Sequence, residues 1–511
     1  GLPTYRAYRP YRAYQAYRPY RAYRAYRSTV DRSCRRWYTG ITPLIAVTSR
    51  RGPAMRRLRL HPFIHKLPPG PGEFPYVDMR LGRKLNRNML GTLMEFYEEY
   101  GRAFTLQLLG LEMVFLIGPE ANRKILVDDY RDFSWGESFF AELKPFIGLG
   151  LLTTDDETHD RARKLLAPAF YPAKIRSYGE KMVRRAESAA DGLEDGETFE
   201  LHEWTRNLTI KVAGDVLLGM DMPKERAEFF AEHFEKGLSF YGGTYTETLL
   251  LKELSGRYRD MKRRVDKLDE VLYAEIRDRR RRSSSSDAIL DTLIEAEDEE
   301  GNGFTDREVR DHLITLLFAG HDTTAATVAW LFSLLGKHRD VYQRLQQEID
   351  DELGGRTPTA EDLMDGLPYL EQIVKETLRL YPAAWFGPRK ARKDFSIYGH
   401  HIPAGTHVTY CSWVTHRMPE LWSDPDAFDP DRFEGDKYRD IEPGAYVPFG
   451  RGPRTCIGMQ FGKLEVKVIT VALMQRYHLE LFPGQTFPAR TVPTISPKYD
   501  VRLTPHARSA S

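Results

Sequence analysis

Cysteine is scarce in this chain: among 511 residues there are three, Cys34, Cys411 and Cys456. An odd, sparse and widely spaced set excludes a disulfide scaffold and fits a reducing interior. Long apolar runs are missing as well. No stretch reaches the roughly 18 to 20 apolar residues of a membrane span. The best N-terminal run, Ile41 to Val47, is short and holds Pro43, and nothing in it has the pattern of a secretory leader. An excess of one charge is also absent. The net charge of +2 gives no bulk argument for nucleic acid or an anionic membrane surface. The expectation is a cytoplasmic protein, at most peripheral to a membrane, and monomeric. What the chain does have is apolar substance: 41% hydrophobic and 12% aromatic residues, enough for a large core.

Three segments follow from composition. Residues 1–66 are expected to form a low-complexity, disordered tail. From Tyr5 to Arg27 they repeat Tyr-Arg-Ala or Tyr-Arg-Pro with a period of three, which matches neither helix nor strand. Interleaved Arg and Tyr can stack on single-stranded nucleic acid, but a tail, or sequence upstream of a start at Met55, is the simpler account. His61 and His65 stand at i, i+4, with Pro62 between them weakening any helical metal site. The run Leu67-Pro68-Pro69-Gly70-Pro71-Gly72 breaks helices and opens the folded part, expected over 67–505, with 506–511 as a tail. Inside it helical patterns dominate, with short strand-like pieces at Phe395 to Ile397 and His407 to Cys411. The fold class is therefore mainly α with small β-sheets. Arg277 to Ser286, basic and then serine-rich, reads as an exposed loop between helices.

The chemistry concentrates in three places. The first is Phe449-Gly450-Arg451-Gly452-Pro453-Arg454-Thr455-Cys456-Ile457-Gly458. A lone cysteine cannot build a zinc site, which needs three or four ligands. It can be the one axial ligand of a haem, whose other four in-plane positions come from the porphyrin. The glycines let backbone approach a flat ligand, and their N–H groups can bond the sulfur. Arg454 is placed to pair with a carboxylate such as a propionate, and Phe449 to shield the sulfur. A buried lone cysteine serving as a small hydrophobe is the bland alternative.

The second is a helix opened by Thr305 and Glu308 as a capping box. Its apolar run from Leu313 to Leu335 is broken at Ala319-Gly320-His321-Asp322-Thr323-Thr324. Glycine inside a helix costs about 1 kcal/mol against alanine, and buried polar groups cost more unless partnered. Small Ala319 and Gly320 make room for a ligand against the helix, and Asp322 with Thr323 can relay protons to it. The third is Glu376-Thr377-Leu378-Arg379, whose acid and base share a helix face and by themselves read as a surface pair.

Together, in this order, the three resemble the cytochrome P450 family. The loop carries its Phe-Gly-x-Gly-x-Arg-x-Cys-x-Gly signature, the helix its Ala-Gly-x-Asp-Thr-Thr element, and the pair its Glu-x-x-Arg element. The resemblance implies the P450 fold and haem b held by Cys456, with Phe449, Gly450, Gly458, Ala319 and Gly320 around it. It implies propionate ligands Arg454 and Arg389, joined by His159 and Arg163 from a His-x-x-x-Arg pattern, although Asp155-Asp156-Glu157-Thr158 lacks a glycine often found there. It implies that Arg432 closes a buried network with Glu376 and Arg379. The implied reaction inserts one atom of O2 into an apolar substrate of fatty acid, terpenoid, steroid or polyketide type, with Thr323 and Asp322 as the catalytic proton relay. Phe318, Ala319, Ala384, Trp385 and Phe386 are the pocket candidates. Electrons are expected from separate ferredoxin and ferredoxin reductase proteins. About fifty residues follow Cys456, too few for a flavin domain, and no Gly-x-Gly-x-x-Gly fingerprint is evident. Lys463 and Lys467 are candidates for a docking face, or simply a solvated helix side. A haem-based sensor and a peroxide-driven peroxygenase are the alternatives. Asp128-Asp129-Tyr130-Arg131-Asp132 matches a magnesium–diphosphate pattern, but a solvated acidic turn accounts for it as well.

Overall fold

Proline and glycine breaks divide the folded part into helices whose apolar faces share one core. The structure, a computed structural model, describes residues 67–71, 79–108, 111–219, 224–242, 252–282 and 287–508. These lie in the unit His61–Ser511. The Tyr/Arg repeat, Cys34, Met55, His61 and His65 lie outside the described residues.

The chain begins with α1 (Met79–Arg87), α2 (Met89–Tyr100), β1 (Ala103–Leu108), β2 (Leu111–Leu116), α3 (Pro119–Arg123), β3 (Phe133–Ser134) and α4 (Lys144–Ile147). Next come α5 (Asp156–Leu166), α6 (Pro172–Ala190), β4 (Phe199–Glu200), α7 (Leu201–Ala213), α8 (Lys224–Leu238), α9 (Gly256–Arg281) and α10 (Ile289–Glu295). The 30-residue α11 (Asp306–Leu335) follows, then α12 (Arg339–Leu353), α13 (Ala360–Asp365) and α14 (Pro368–Leu380). The last third holds β5 (Phe386–Ala391), β6 (Phe395–Ile397), β7 (His400–Ile402), β8 (His407–Cys411), α15 (Ser412–Thr415) and α16 (Met459–Arg476). It ends in β9 (Tyr477–Leu481), β10 (Ala489–Arg490), β11 (Ser496–Pro497) and β12 (Arg502–Ala507). No helix of the described residues is long and apolar enough to cross a membrane.

The main sheet has the order β1-β2-β8-β5-β3, with β2 and β8 parallel and the other pairs antiparallel. A second sheet has the order β4-β12-β9, and β6–β7 and β10–β11 form two ribbons. The largest core cluster is built from α6, α7, α9, α11, α12, α14 and α16. The capping box is present: Thr305 Oγ1 accepts from Glu308 N, and Glu308 Oε2 accepts from Thr305 N.

Two expectations are corrected here. Residues 277–281 are not loop but the last turns of α9. Arginine is a good helix former, and cations at a helix C-terminus meet the negative end of its dipole. Arg279 forks onto Asp291, and Arg280 bonds Asp306. The folded chain also runs past 505, because β12 pairs Ala507 with Tyr477, and Arg508 N bonds Arg476 O. Pro505 is tolerated because β4 pairs only with Arg502 and Leu503, so at 505 the strand has a strand partner on one side only. The carboxylates of the Asp128–Asp132 run each have their own cation: Asp128 with Arg123, Asp129 with Lys124 and Asp132 with Lys393.

Candidate active site

The cysteine loop is shaped by two glycines. Gly450 and Gly452 have φ of +68° and +71°, a region L-residues avoid, and a Cβ at Gly452 would lie 2.3 Å from Leu126 O. The turn this allows brings Cys456 N to Phe449 O at 2.9 Å. Cys456 is an accessible residue, and the protein around it is dense enough to desolvate the thiol. Burial pushes its thiol up, opposed by the Gly458 N–H and the Arg163 cation.

The middle of α11 complements this loop. Along a helix buried nearly throughout, Leu316, Ala319, Gly320 and Thr323 form one partly open stripe, with Phe318 beside it. These positions recur at helical spacing, so they share a face. Leu316 and Phe318 pack on the same cluster as Phe449, Ile457 and Phe461 of the cysteine region. Thr323 Oγ1 donates to Ala319 O at 2.7 Å. Its lone pairs stay free to accept.

Asp322, one residue earlier, points elsewhere. It is 3% exposed, accepts from Thr494 Oγ1 at 2.6 Å, and lies 3.9 Å from Arg206 Nε. Burial alone would raise its pKa, but the Thr494 bond and Arg206 outweigh it and hold the carboxylate below its usual range. The loop carrying Thr494 also joins Ile495 N to Ala383 O, which brings the segment 383–386 beside α11. Ala384 is exposed and Phe386 partly so. Trp385 is not an open wall residue: it is 4% exposed and its indole donates to Thr491 O. It is buried support behind its two neighbours, in the cluster of Trp330 and Trp413.

Around the expected propionate side, Arg389 is 1% exposed, its Nη2 has no partner, and its guanidinium lies 3.6 Å from the Trp135 ring centre. Burial draws its pKa down to about 10. Its Nη1 donates to Pro388 O, so the unmet Nη2 of a buried cation with no carboxylate partner calls for an anion. Arg454 is engaged with Asp155 at 3.0 Å and with Thr154 O. Asp155 also accepts from Ser134 Oγ, Trp135 N and Gly136 N. Arg163 donates to Thr455 O at 2.8 Å, and His159 is buried with Nδ1 3.0 Å from Asp160 Oδ1. A Cβ added at Gly320 or Gly458 would meet no atom within 4 Å. The accessible Cys456, the unmet Arg389 donor and these two glycines fit a flat, anionic prosthetic group.

Behind the loop, Glu376 and Arg379 are both fully buried and forked together at 2.6 and 2.8 Å. The remaining Arg379 donors reach the carbonyls of His416, Pro425 and Ala427. Arg432 Nε lies 3.4 Å from Glu376 Oε1, which also accepts from Asp429 N. His416, which sequence reasoning missed, donates from Nδ1 to Arg379 O and accepts at Nε2 from Val447 N. It thus ties the ion pair to the segment entering the cysteine loop. Lys463 and Lys467 offer no docking face, because both pair with Glu371 and the Lys467 side chain is 4% exposed.

Buried histidines set an acid limit. Burial holds His159 and His312 down to about 4 and His416 to about 3. Unfolded, each titrates near 6.5, so below that value the unfolded chain binds more protons. Their contribution is present above about pH 6.5 and is lost as pH falls through about 4. Glu465, which burial pushes up to about 8, acts oppositely and loses its contribution as pH rises through 8. Urea midpoints should therefore peak near about pH 6.5 and fall more steeply on the acid side. A flat profile from neutral to acid would contradict this.

The sequence pattern of the family described as Cytochrome P450 matches residues 68–502. Cyclooctat-9-en-7-ol 5-monooxygenase of Streptomyces melanosporofaciens is 34% identical over 374 residues, covering 72% of this chain and 80% of that protein. Pentalenene oxygenase of Streptomyces avermitilis is 28% identical over 398 residues, covering 76% and 87%. Among solved structures, retinoic acid-bound cyanobacterial CYP120A1 superposes with a TM-score of 0.75 at 28% identity, covering 86% of this chain and 100% of that one. With the family pattern spanning nearly the whole folded part, this chain belongs to the cytochrome P450 family of haem-dependent monooxygenases.

Proposed function

We propose that the protein oxygenates an apolar terpenoid, using haem b and electrons from a separate ferredoxin and its reductase. The observation that carries an apolar substrate is the open stripe of α11, and the relatives' names narrow it to a terpenoid. Leu316, Phe318, Ala319 and Gly320 offer it no charge, and Ala384 and Phe386 add only apolar surface. The names of the relatives support the same class, since one acts on cyclooctat-9-en-7-ol and another on pentalenene. Cys456 would hold the haem iron, with Arg389, Arg454, Arg163 and His159 toward the propionates. Haem ligated by thiolate supplies electron density that favours O–O cleavage.

The chain's own part is to exclude water and deliver protons. Thr323 presents a hydroxyl oxygen on the open stripe, and Asp322 holds a carboxylate one residue away. Thr323→Ala removes the hydroxyl at the end of that relay. NAD(P)H consumed per product should rise about tenfold, with hydrogen peroxide released instead. Unchanged coupling would remove Thr323 from the relay. A binding screen of terpenoids, steroids and fatty acids, read as shifts of the haem absorption band, tests the substrate class. Preference for fatty acids would overturn it. Product formed with O2 and a surrogate reductase, but not with hydrogen peroxide alone, separates a monooxygenase from a peroxygenase.

A further inference from the structure

One short segment joins two sides of the site. Residues 134–143 leave β3 where it pairs with Lys390 and Ala391 of β5, and end just before α4. Their start is gathered on a single carboxylate. Asp155 accepts from Ser134 Oγ at 2.6 Å and from the Trp135 and Gly136 N–H groups at 2.9 Å each. Arg454 Nη2 lies 3.0 Å from the same carboxylate, and Arg392 Nη2 3.3 Å. The Asp155 and Arg454 side chains are 13% and 8% exposed, so solvent screens this pair little. Burial alone would raise the Asp155 pKa, but the Ser134 hydroxyl, the two N–H groups and Arg454 hold it below the usual carboxylate range. Gly136 is required for this approach, because a Cβ there would lie 2.9 Å from Thr153 O and 3.0 Å from Asp155 Oδ2.

Asp155 stands at the N-cap of α5, where an aspartate ordinarily accepts from the first turn of its own helix. Its side chain makes no such bond. The carboxylate is spent instead on the segment and on two arginines. Trp135 is set by the same arrangement. Its ring lies 3.6 Å from the Arg389 guanidinium and 5.3 Å from that of Arg454, and it stacks on Phe140 with ring centres 5.0 Å apart. One ring therefore meets both haem-side arginines and the middle of the segment. The far end is tied to the connection between α8 and α9. Tyr241 Oη donates to Glu142 O at 2.9 Å, and Lys252 Nζ pairs with Glu142 Oε2 at 2.7 Å.

We propose that Asp155 is a positioning residue that sets Arg454, Trp135 and the 134–143 segment as one unit, a strap from the cysteine loop to the α8–α9 connection. The proposal rests on the reading of Arg389 and Arg454 as propionate partners. Asp155 acts on the prosthetic group only through what it holds: the Arg454 fork and the Trp135 ring beneath Arg389. Asp156 supplies a contrast within the same turn. It carries the same charge one residue on and forks onto Arg392 at 2.8 Å, without bonding the segment or Arg454.

Two measurements on the holoenzyme test the strap: hydrogen exchange of residues 134–143, and the rate at which haem passes to an excess of a haem-binding acceptor protein. In Asp155→Asn both should rise about tenfold, the loss expected when a charge-assisted joint opens locally. The reduced CO band should keep its position, since Cys456 is untouched. Asp156→Asn should match the wild type in both. Trp135→Leu should behave like Asp155→Asn, and Trp135→Phe, which keeps a ring between Arg389 and Phe140, should recover most of the loss. The tryptophan pair keeps the test decisive if Asp155→Asn fails to fold. Wild-type exchange in Asp155→Asn would overturn the proposal. So would equal effects of Asp155→Asn and Asp156→Asn, which would reduce the strap to a general effect of charge. If Arg389→Ala speeds haem loss while Asp155→Asn does not, the propionate reading stands and the strap falls. If Arg389→Ala leaves haem loss unchanged, the propionate reading falls, and the proposal with it.

Discussion

Cys456→Ser should abolish oxygenation while leaving the fold standing. Serine keeps the shape of the turn, because Cys456 N still bonds Phe449 O and the glycine conformations at 450 and 452 do not depend on the side chain. Cys456 is a free, exposed cysteine, and the Gly458 N–H that faces its sulfur can bond a serine hydroxyl instead. Stability should change by less than about 1 kcal/mol, within the range of substitutions that leave no buried group unmet. The chemistry changes entirely. A thiolate is an anionic, polarizable ligand, whereas a serine hydroxyl stays neutral at pH 7 and cannot supply the same electron density. The reduced CO-difference band at the thiolate position should vanish, and turnover should fall by about a thousandfold or more, a loss of about 4 kcal/mol in the barrier term. Retention of both the band and turnover would show that another residue ligates the iron.

Arg379→Ala should have the opposite signature, with loss of the folded protein itself. It takes the forked partner from Glu376, fully buried, leaving it Asp429 N and the more distant Arg432, and frees the carbonyls of His416, Pro425 and Ala427. Breaking a buried ion pair from one side costs about 3–5 kcal/mol. Each orphaned carbonyl adds about 1–3 kcal/mol. The sum rivals the 5–15 kcal/mol that holds an ordinary domain together. Arg379→Lys should rescue little, because an ammonium cannot fork onto a carboxylate while reaching three carbonyls. Soluble yield and guanidinium unfolding midpoints measure this. A midpoint close to that of the wild type would mean the pair is incidental. His416→Leu, which cuts the tie between Arg379 O and Val447 N, should destabilise by less, about 2–3 kcal/mol, because no charge is stranded.

Local signals in the sequence were legible where the physics is local. The capping box of Thr305 and Glu308, the strands Phe395–Ile397 and His407–Cys411, and the turn glycines of the cysteine loop each depend on residues within a few positions. Arg277 to Arg281 misled because basic composition resembles a loop, while Asp291 and Asp306, the acids that make it helix, lie 10 to 30 residues further on. Lys463 and Lys467 misled in the same way, since Glu371 sits on another helix. Trp385 stood between two open neighbours, and only the position of Thr491 shows that it is buried support.

Sequence motifs alone carried the likeness to the family, the placing of Cys456 among turn glycines, and the helix that carries an acid beside an alcohol. Short motifs carry these because a turn or a helical stripe needs only adjacent residues. The tertiary structure decided what each charge meets. It turned a bland surface pair into a buried lock, gave Arg454 an acid in Asp155, left Arg389 with an unmet donor, and aimed Asp322 at Thr494 and Arg206. Those partners lie from 3 to 299 positions away in the chain. Burial, not proximity in sequence, sets what an ionisable group costs and what it can do.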